Sequence, residues 1–338
     1  MPLKMSANPP FVVDENNIIV GVTGQRFAPK SYTNFNPVSV VPVASTFSTV
    51  TSFDSNSGNV RLNGTGTHGL TTAVVITPAI NTGVYVTWTA GSGVSGVYPV
   101  TAIDTDTTGT KLTINLPYVS STVTATATDP GIVTYASHGR SAGQAVRFTT
   151  TNTLPAGLST GTTYYISSIV DANQFTVSAS AGGTPIAFTD TGTGTHTCIL
   201  WYGTAAVKAA TEAITLASLT IEGGLLSLNG NMECNAIFSM TSAGGVNKVL
   251  EIEYAGNEIY NSGNLTTTTT ANVNKIVWAR GAGKIVTGAA SATGHGTGSV
   301  AYQEFTVAYG SDQTFVIKAT IATANNIVTL EGYQVTVE

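Results

Sequence analysis

Charge is the scarcest commodity in this chain. Charged residues make up 9% of 338, with 13 Lys+Arg against 18 Asp+Glu and a net charge of −5. An average soluble domain carries about 25%. A nucleic-acid groove needs a dense Lys/Arg cluster, and no stretch of the sequence supplies one, so DNA and RNA are not expected partners. Cysteine is nearly absent too. Cys198 and Cys234 are too few for the disulfide framework of a small secreted domain, and they read as two buried thiols. No apolar run approaches the ~20 residues that span a bilayer. Met1–Pro10 holds one Lys and no apolar stretch, so no signal peptide is read there. The protein is expected to be made in a cytoplasm without an export signal.

What fills the gap is Thr, Ser, Gly and Asn. About one residue in six is Thr, and Gly accounts for 36. Thr and Val suit a pleated, half-buried surface. Gly serves the turns between short strands. With 42% apolar residues a core can be buried, and the length allows two or three domains. The expectation is an all-β fold.

Residues 1–45 carry Pro9, Pro10, Pro29, Pro37 and Pro42 and read as an extended arm, with one strand at Asn17–Thr23. Such an arm is expected to be ordered against another surface, such as a neighbouring subunit. Residues 46–120 form a first small β-module. Val84–Thr89, Gly96–Ile103 and Lys111–Leu116 alternate apolar and polar positions there. Residues 121–201 repeat the plan. His68-Gly69 matches His138-Gly139, Tyr98–Ile103 matches Tyr164–Ile169, and Leu112-Thr113-Ile114 matches Phe175-Thr176-Val177. A second echo pairs Gly64-Thr65-Gly66-Thr67-His68 with Gly192-Thr193-Gly194-Thr195-His196. The two are read as tandem β-sandwich or barrel-like copies of one unit. Residues 202–218 hold Ala205, Ala206, Lys208, Ala209, Ala210, Glu212 and Ala213, good helix formers, and are expected as a linker or short helix. Residues 219–338 show strand patterns at Met232–Met240, Lys248–Tyr254, Val273–Arg280, Val300–Tyr309, Thr314–Ile321 and Ile327–Val337. Gly/Asn turns divide them, as in a jelly-roll-like β-sandwich.

Candidate chemistry is thin. Asp104-x-Asp106-x-Thr108-Gly109 places oxygen ligands at alternate positions and glycine sixth, as a calcium loop does. Its twelfth position is Asn115 rather than a bidentate Glu, and a hairpin turn explains the same residues. His68, His138, His196 and His295 all lie in Gly/Thr-rich turns without a second ligand at metal spacing. Gly294-x-Gly296-x-Gly298 lacks the strand–helix setting of a nucleotide loop. No Gly-x-Ser-x-Gly elbow occurs. Glu251 and Glu253 share one strand face, which reads as a solvated face rather than a glycosidase pair. No enzyme activity and no cofactor are expected. The aromatics carry the binding signal: Trp278, Tyr309 and Trp201 could stack on sugar rings if exposed, whereas core is the ordinary role of such residues, Trp88 included.

One stretch has a familiar look. His138-Gly139-x-x-x-Gly143-x-x-Val146-x-Phe148, Leu154-Pro155-x-Gly157-Leu158, Thr163-Tyr164-Tyr165-Ile166, Asn173-x-Phe175-Thr176-Val177 and Gly192–His196 together resemble a small β-module scattered through tail and fibre proteins of tailed bacteriophages. The first module resembles it less, lacking the Leu-Pro-x-Gly-Leu turn. The resemblance implies a structural or adhesive role, commonly as a homotrimer, and offers no catalytic residues to carry over. It implies a virion surface protein, either a head-decoration or fibre subunit or a tail-fibre subunit. Residues 1–45 would contact capsid or tail, and the C-terminal sandwich would face outward, where a host cell-surface glycan is the alternative partner.

Overall fold

The computed structural model describes residues 12–13, 19–21, 30–72, 82–103, 109–226, 230–241, 246–281, 283–288 and 302–338. These are nearly all strand and turn. Two compact units emerge. One combines residues up to 43 with 73–85 and 208–338; the other combines 44–72 with 86–207.

In the second unit the sequence duplication becomes a nesting. Ser120–Thr126, Ile132–Thr134, Ala145–Thr150, Tyr164–Asp171, Gln174–Ser178 and His196–Leu200 close into a barrel. Naming strands by their place in the chain, the order around it is first, second, fifth, fourth, third, sixth. The sixth returns to the first through Ser120↔Ile199 and its neighbours. Val50–Asn56, Asn59–Gly64, Gly83–Thr89, Gly96–Ile103 and Lys111–Pro117 follow the same order in a second sheet. The missing sixth strand there is Thr204–Val207, which pairs Ala205 with Trp88 and Val207 with Val86. It then approaches the first strand through a Thr49↔Ala206 bridge and a 3.0 Å bond from Val207 N–H to the Ser48 carbonyl. The closed barrel is therefore inserted between the fifth and sixth strands of its own homologue, rather than following it in tandem. Closure of this kind leaves few unpaired edges.

Residues 202–218, expected as linker or helix, are instead strand at Thr204–Val207 and Ala213–Ile221. Thr204–Val207 buries Ala205 and Val207 and exposes Thr204 and Ala206. Its intrinsic helix preference is a few tenths of a kcal/mol per residue, and the ladder bonds it makes on both sides outweigh that.

The shared landmarks have a physical basis. The His138 ring is edge-on to Phe175 at 5.3 Å, and its Nδ1 accepts the Arg140 N–H at 2.8 Å. His68 is edge-on to Phe47 at 5.8 Å and accepts the Leu70 N–H at 2.9 Å. The glycine after each histidine has positive φ, 71° at Gly69 and 54° at Gly139, which an L side chain resists. The histidine N–H reaches the Gly109 carbonyl in one barrel and the Ala172 carbonyl in the other, so each turn is docked on the connection between the fourth and fifth strands. The Gly-Thr-Gly-Thr-His echo is different. Gly64–His68 leaves a second strand, whereas Gly192–His196 enters a sixth, so these segments share turn chemistry and not position. The inner core gathers Val146, Phe148, Ile166, Phe175, Val177 and Phe188. Gly131 is there because a Cβ would stand 2.2 Å from the Phe188 ring.

Among its described residues the first unit has two large sheets, besides a pairing of Val12–Val13 with Ile19–Gly21. Ala213–Ile221, Gln313–Ile321, Lys248–Tyr254 and Asn257–Asn261 make one, in that order. The other runs Gln303–Thr306, Lys284–Thr287, Thr270–Ala279, Asn231–Met240, Val328–Val337. The long strands bury alternate residues, for example Phe315, Ile317, Ala319 and Ile321 in one sheet and Met232, Cys234, Ala236 and Phe238 in the other. A buried Phe or Ile of this kind is worth about 1.5–3 kcal/mol. Val328–Val337 is completed on its far side by Val38–Val40 and Lys30–Asn34. Residues 30–43, expected within an extended arm, are thus part of this unit, with Val40, Val41 and Val43 wholly buried. The β-branched residues between Pro37 and Ala44 find a ladder in their own chain.

Two lysines sit on buried faces. Lys275 lies between Val273 and Val277, 4% exposed, and donates to the Gly288 carbonyl at 3.0 Å. Burial lowers its pKa to about 8. Lys248 donates to the carbonyls of Val246 and Thr266, each at 3.4 Å, and burial lowers its pKa as well.

Candidate functional site

The residues singled out from sequence meet different fates. Trp201 is not a free stacking surface. Its ring lies 4.8 Å from that of Phe53, at 25°, and the Arg147 guanidinium sits 3.3 Å from its centroid. Groups this close must take opposite faces of the indole. Phe53 in turn meets Trp88 edge-on at 5.7 Å, and the Tyr202 hydroxyl donates to the Pro117 carbonyl. This aromatic group joins the two barrels where the inner one enters and leaves the outer. Tyr309 is half-buried, and burial raises the pKa of its phenol. Its hydroxyl is buried.

Trp278 is the exception, with 53% of its surface exposed. It stands on the outer face of the Thr270–Ala279 strand, because Val273, Lys275 and Val277 take the inner one. Alternation carries Arg280 to the same outer side. Neighbouring strands add to the row: Trp278 is opposite Val286, and Val286 is opposite Glu304, with about 4.8 Å between strands. Arg280 Nη1 donates to the Tyr302 hydroxyl at 3.1 Å and lies 3.6 Å from Glu304 Oε2. Lys284 Nζ donates to Glu304 Oε1 at 2.8 Å. The Lys284 ammonium beside Glu304 holds its carboxyl below the usual range. Tyr302 is 58% exposed. Further along the same face, Asn274 donates to Glu233 at 2.7 Å and to Asn235 at 2.8 Å.

Tyr302 and Lys284 were not singled out from sequence. The available signal was two alternating pairs, Trp278-x-Arg280 and Tyr302-x-Glu304, which only strand pairing brings together.

The other candidates are structural in place. His196 is buried, bonded to Thr150 Oγ1 at 2.9 Å and to the Thr191 carbonyl at 3.0 Å. His138 Nε2 meets the Asp171 carbonyl at 3.0 Å. Burial pushes the thiols of Cys198 and Cys234 up to about 12, which keeps them protonated and poorly nucleophilic. Glu251 and Glu253 do share the outer face of their strand; Glu253 pairs with Lys318 at 2.5 Å, and burial followed by Glu258 raises Glu251. Asp104, Asp106 and Thr108 lie outside the described residues, as does His295. Among the described residues no three His, Cys, Asp or Glu side chains converge as a metal site, and no helix is long and apolar enough to cross a membrane.

No family model matches the sequence, and no curated protein matches it. Among solved structures, the chain is similar to that of infectious bursal disease virus Gx strain, with 11% identity over 91% of this chain and 72% of that one, at a TM-score of 0.21. It is also similar to the VP2 subviral particle of infectious bursal disease virus, at 11% identity over 88% and 82% and a TM-score of 0.15. Scores of this size do not define a shared fold.

Proposed function

We propose that the chain is a non-catalytic structural subunit on the surface of a tailed-phage virion, of head-decoration, fibre or tail-fibre type. In this reading it is made in the host cytoplasm and assembles as a homotrimer. The observation that supports it is a closed six-stranded barrel nested in a sheet of the same strand order. The segment that resembles phage tail and fibre modules is a self-contained barrel, its ends lie on adjacent strands, and its histidines are spent on holding turns. Such a unit is a rigid spacer, with nothing in its construction that calls for a reaction centre. Low charge suits contacts made by packing β-surfaces under closed symmetry.

The structure changes how the anchor is best tested. Removing residues 1–45 would strip Lys30–Asn34 and Val38–Val40 from the sandwich, so the informative deletion is residues 1–29. Light scattering on the purified chain is expected to give three times 34.6 kDa. The 1–29 deletion is expected to keep that mass and lose incorporation into particles. A monomer that is incorporated equally well without residues 1–29 would refute the proposal.

A further inference from the structure

We propose that the outer face around Trp278 is a binding site for a carboxylate-bearing saccharide, its ring stacked on the indole and its carboxylate held by Arg280. This goes beyond the virion reading, since a structural subunit needs no ligand.

Two of the three tryptophans are committed to the barrels: Trp88 is buried and Trp201 is sandwiched. Trp278 alone presents an open ring on a flat sheet. Its neighbours in the row are Asn231 on one side and Val286, then Glu304, on the other. Val286 and Ile276 give Trp278 apolar neighbours, but Arg280, Lys284 and Glu304 put charge beside it, unlike the centre of a protein interface, which is apolar and depleted in charge. Such a face suits a ligand that offers C–H groups on one face and hydroxyls at its edge. An indole also attracts the electron-poor C–H face of a sugar ring.

Charge decides the class. Arg280 and Lys284 share one carboxylate, Glu304, so cations outnumber anions immediately around Arg280, while Glu233 and Glu338 lie further along the face. Both contacts of Arg280 run through Nη1, to Tyr302 and Glu304. The guanidinium is oriented by them and its side chain is still 59% exposed. Its remaining N–H groups form the fork that accepts a carboxylate in two parallel bonds. Arg280 is two residues from Trp278 on the same face, about 7 Å along the strand. That is close enough for one sugar unit to engage both. Two cations set among carboxylates are too few for nucleic acid, which needs many phosphate contacts.

The probes are a galacturonic acid trisaccharide and the neutral galactose trisaccharide of the same linkage. They are titrated into the full chain while the Trp278 indole N–H resonance is followed. The charged probe is expected to shift that resonance saturably and to bind at least tenfold more tightly than the neutral one. By calorimetry, W278A is expected to lose binding of both by tenfold or more, and W278F to recover part of it. R280Q is expected to bring the charged probe down to the level of the neutral one, and raised salt to weaken the charged probe alone. An unmoved Trp278 resonance with both probes at millimolar concentration overturns the site. Equal binding of the two probes, indifferent to R280Q, overturns the carboxylate assignment. W278A and R280Q are expected to enter particles normally; loss of incorporation would make this face a subunit contact and overturn the saccharide site, while leaving the structural role intact.

Discussion

Replacing Trp201 with alanine removes the ring that lies between Phe53 and Arg147. Three losses add. A stacked aromatic pair is worth about 0.5–1.5 kcal/mol beyond its buried area. A guanidinium over an indole contributes about 0.5–2 kcal/mol. Truncating a fully buried Trp costs about 3–5 kcal/mol, pair terms included, and Trp201 is only half-buried, so about 3 kcal/mol is expected. The loss should be local. The ring sits where the backbone enters and leaves the inner barrel, beside Tyr202 and Trp88. Equilibrium hydrogen exchange on the full chain is the assay, because a chain of two units need not unfold in one transition. Amides of Thr204–Val207 and of 86–89 in the strand they pair with should exchange roughly a hundredfold faster in W201A, since about 1.4 kcal/mol is a factor of ten. The inner-barrel core around Phe148 and Phe175 should change far less. Trp201→Phe preserves a stacking face and should recover most of the protection. Exchange within threefold of wild type in W201A, or an equal loss in the Phe variant, would refute the idea that this stack closes the outer barrel.

Three further outcomes are expected. Lys275 has a lowered pKa in the folded state, so between pH 8 and pH 10.5 the unfolded chain binds more protons and stability rises with pH. The 2.5 units between 10.5 and about 8 correspond to about 3 kcal/mol, present in full above 10.5 and lost as pH falls through 8. Urea midpoints of wild type and Lys275→Met at pH 7.5 and 10 isolate this from the tyrosines and cysteines: the variant's advantage should shrink at the higher pH, and a constant difference would refute it. Gly131→Ala drives a Cβ into the Phe188 ring and should cost about 1–3 kcal/mol, read as a lower melting temperature; an unchanged melt would mean the ring can step aside. His138→Ala leaves the Arg140 N–H without its acceptor and removes the contact with Phe175, a loss of about 1–3 kcal/mol. His68→Ala should act in the same direction in the outer barrel, with both read by chemical denaturation.

Much of the β architecture is visible in the residues themselves. Gly96–Ile103 and Lys248–Tyr254 are strands over the spans their alternation marks. Asn231–Met240, Thr270–Ala279, Gln313–Ile321 and Val328–Val337 differ from expectation by a few residues at most. Of Val300–Tyr309, Gln303–Thr306 is strand, and residues 300–301 lie outside the described residues. The paired His-Gly turns mark two related barrels because each histidine does the same local work. Thr204–Val207 was illegible for a physical reason. Four small residues carry no period long enough to count, and their local preference is helical; only the open edge between Gly83–Thr89 and Val50–Asn56 makes them a strand. Residues 30–43 likewise carry proline signals of an extended arm, and their strand character depends on Val328–Val337, nearly three hundred residues away.

The same division holds for the candidate site. Alternation along Ile276, Trp278 and Arg280 was enough to put the tryptophan and the arginine on one side of a strand. Whether that side faced core or solvent was not, because a side-chain period of two has no sign. Trp201 and Trp278 are chemically identical and both follow β-branched or aliphatic residues, yet one is closed between Phe53 and Arg147 and the other is open. Sequence by itself determined that this chain is built of short strands and turns, and that one β unit occurs twice. Tertiary structure alone decided that the units are nested, which tryptophan is free, and that Tyr302, Glu304 and Lys284 gather around Arg280. Those outcomes depend on pairings between distant strands, and such contacts leave no local periodicity to read.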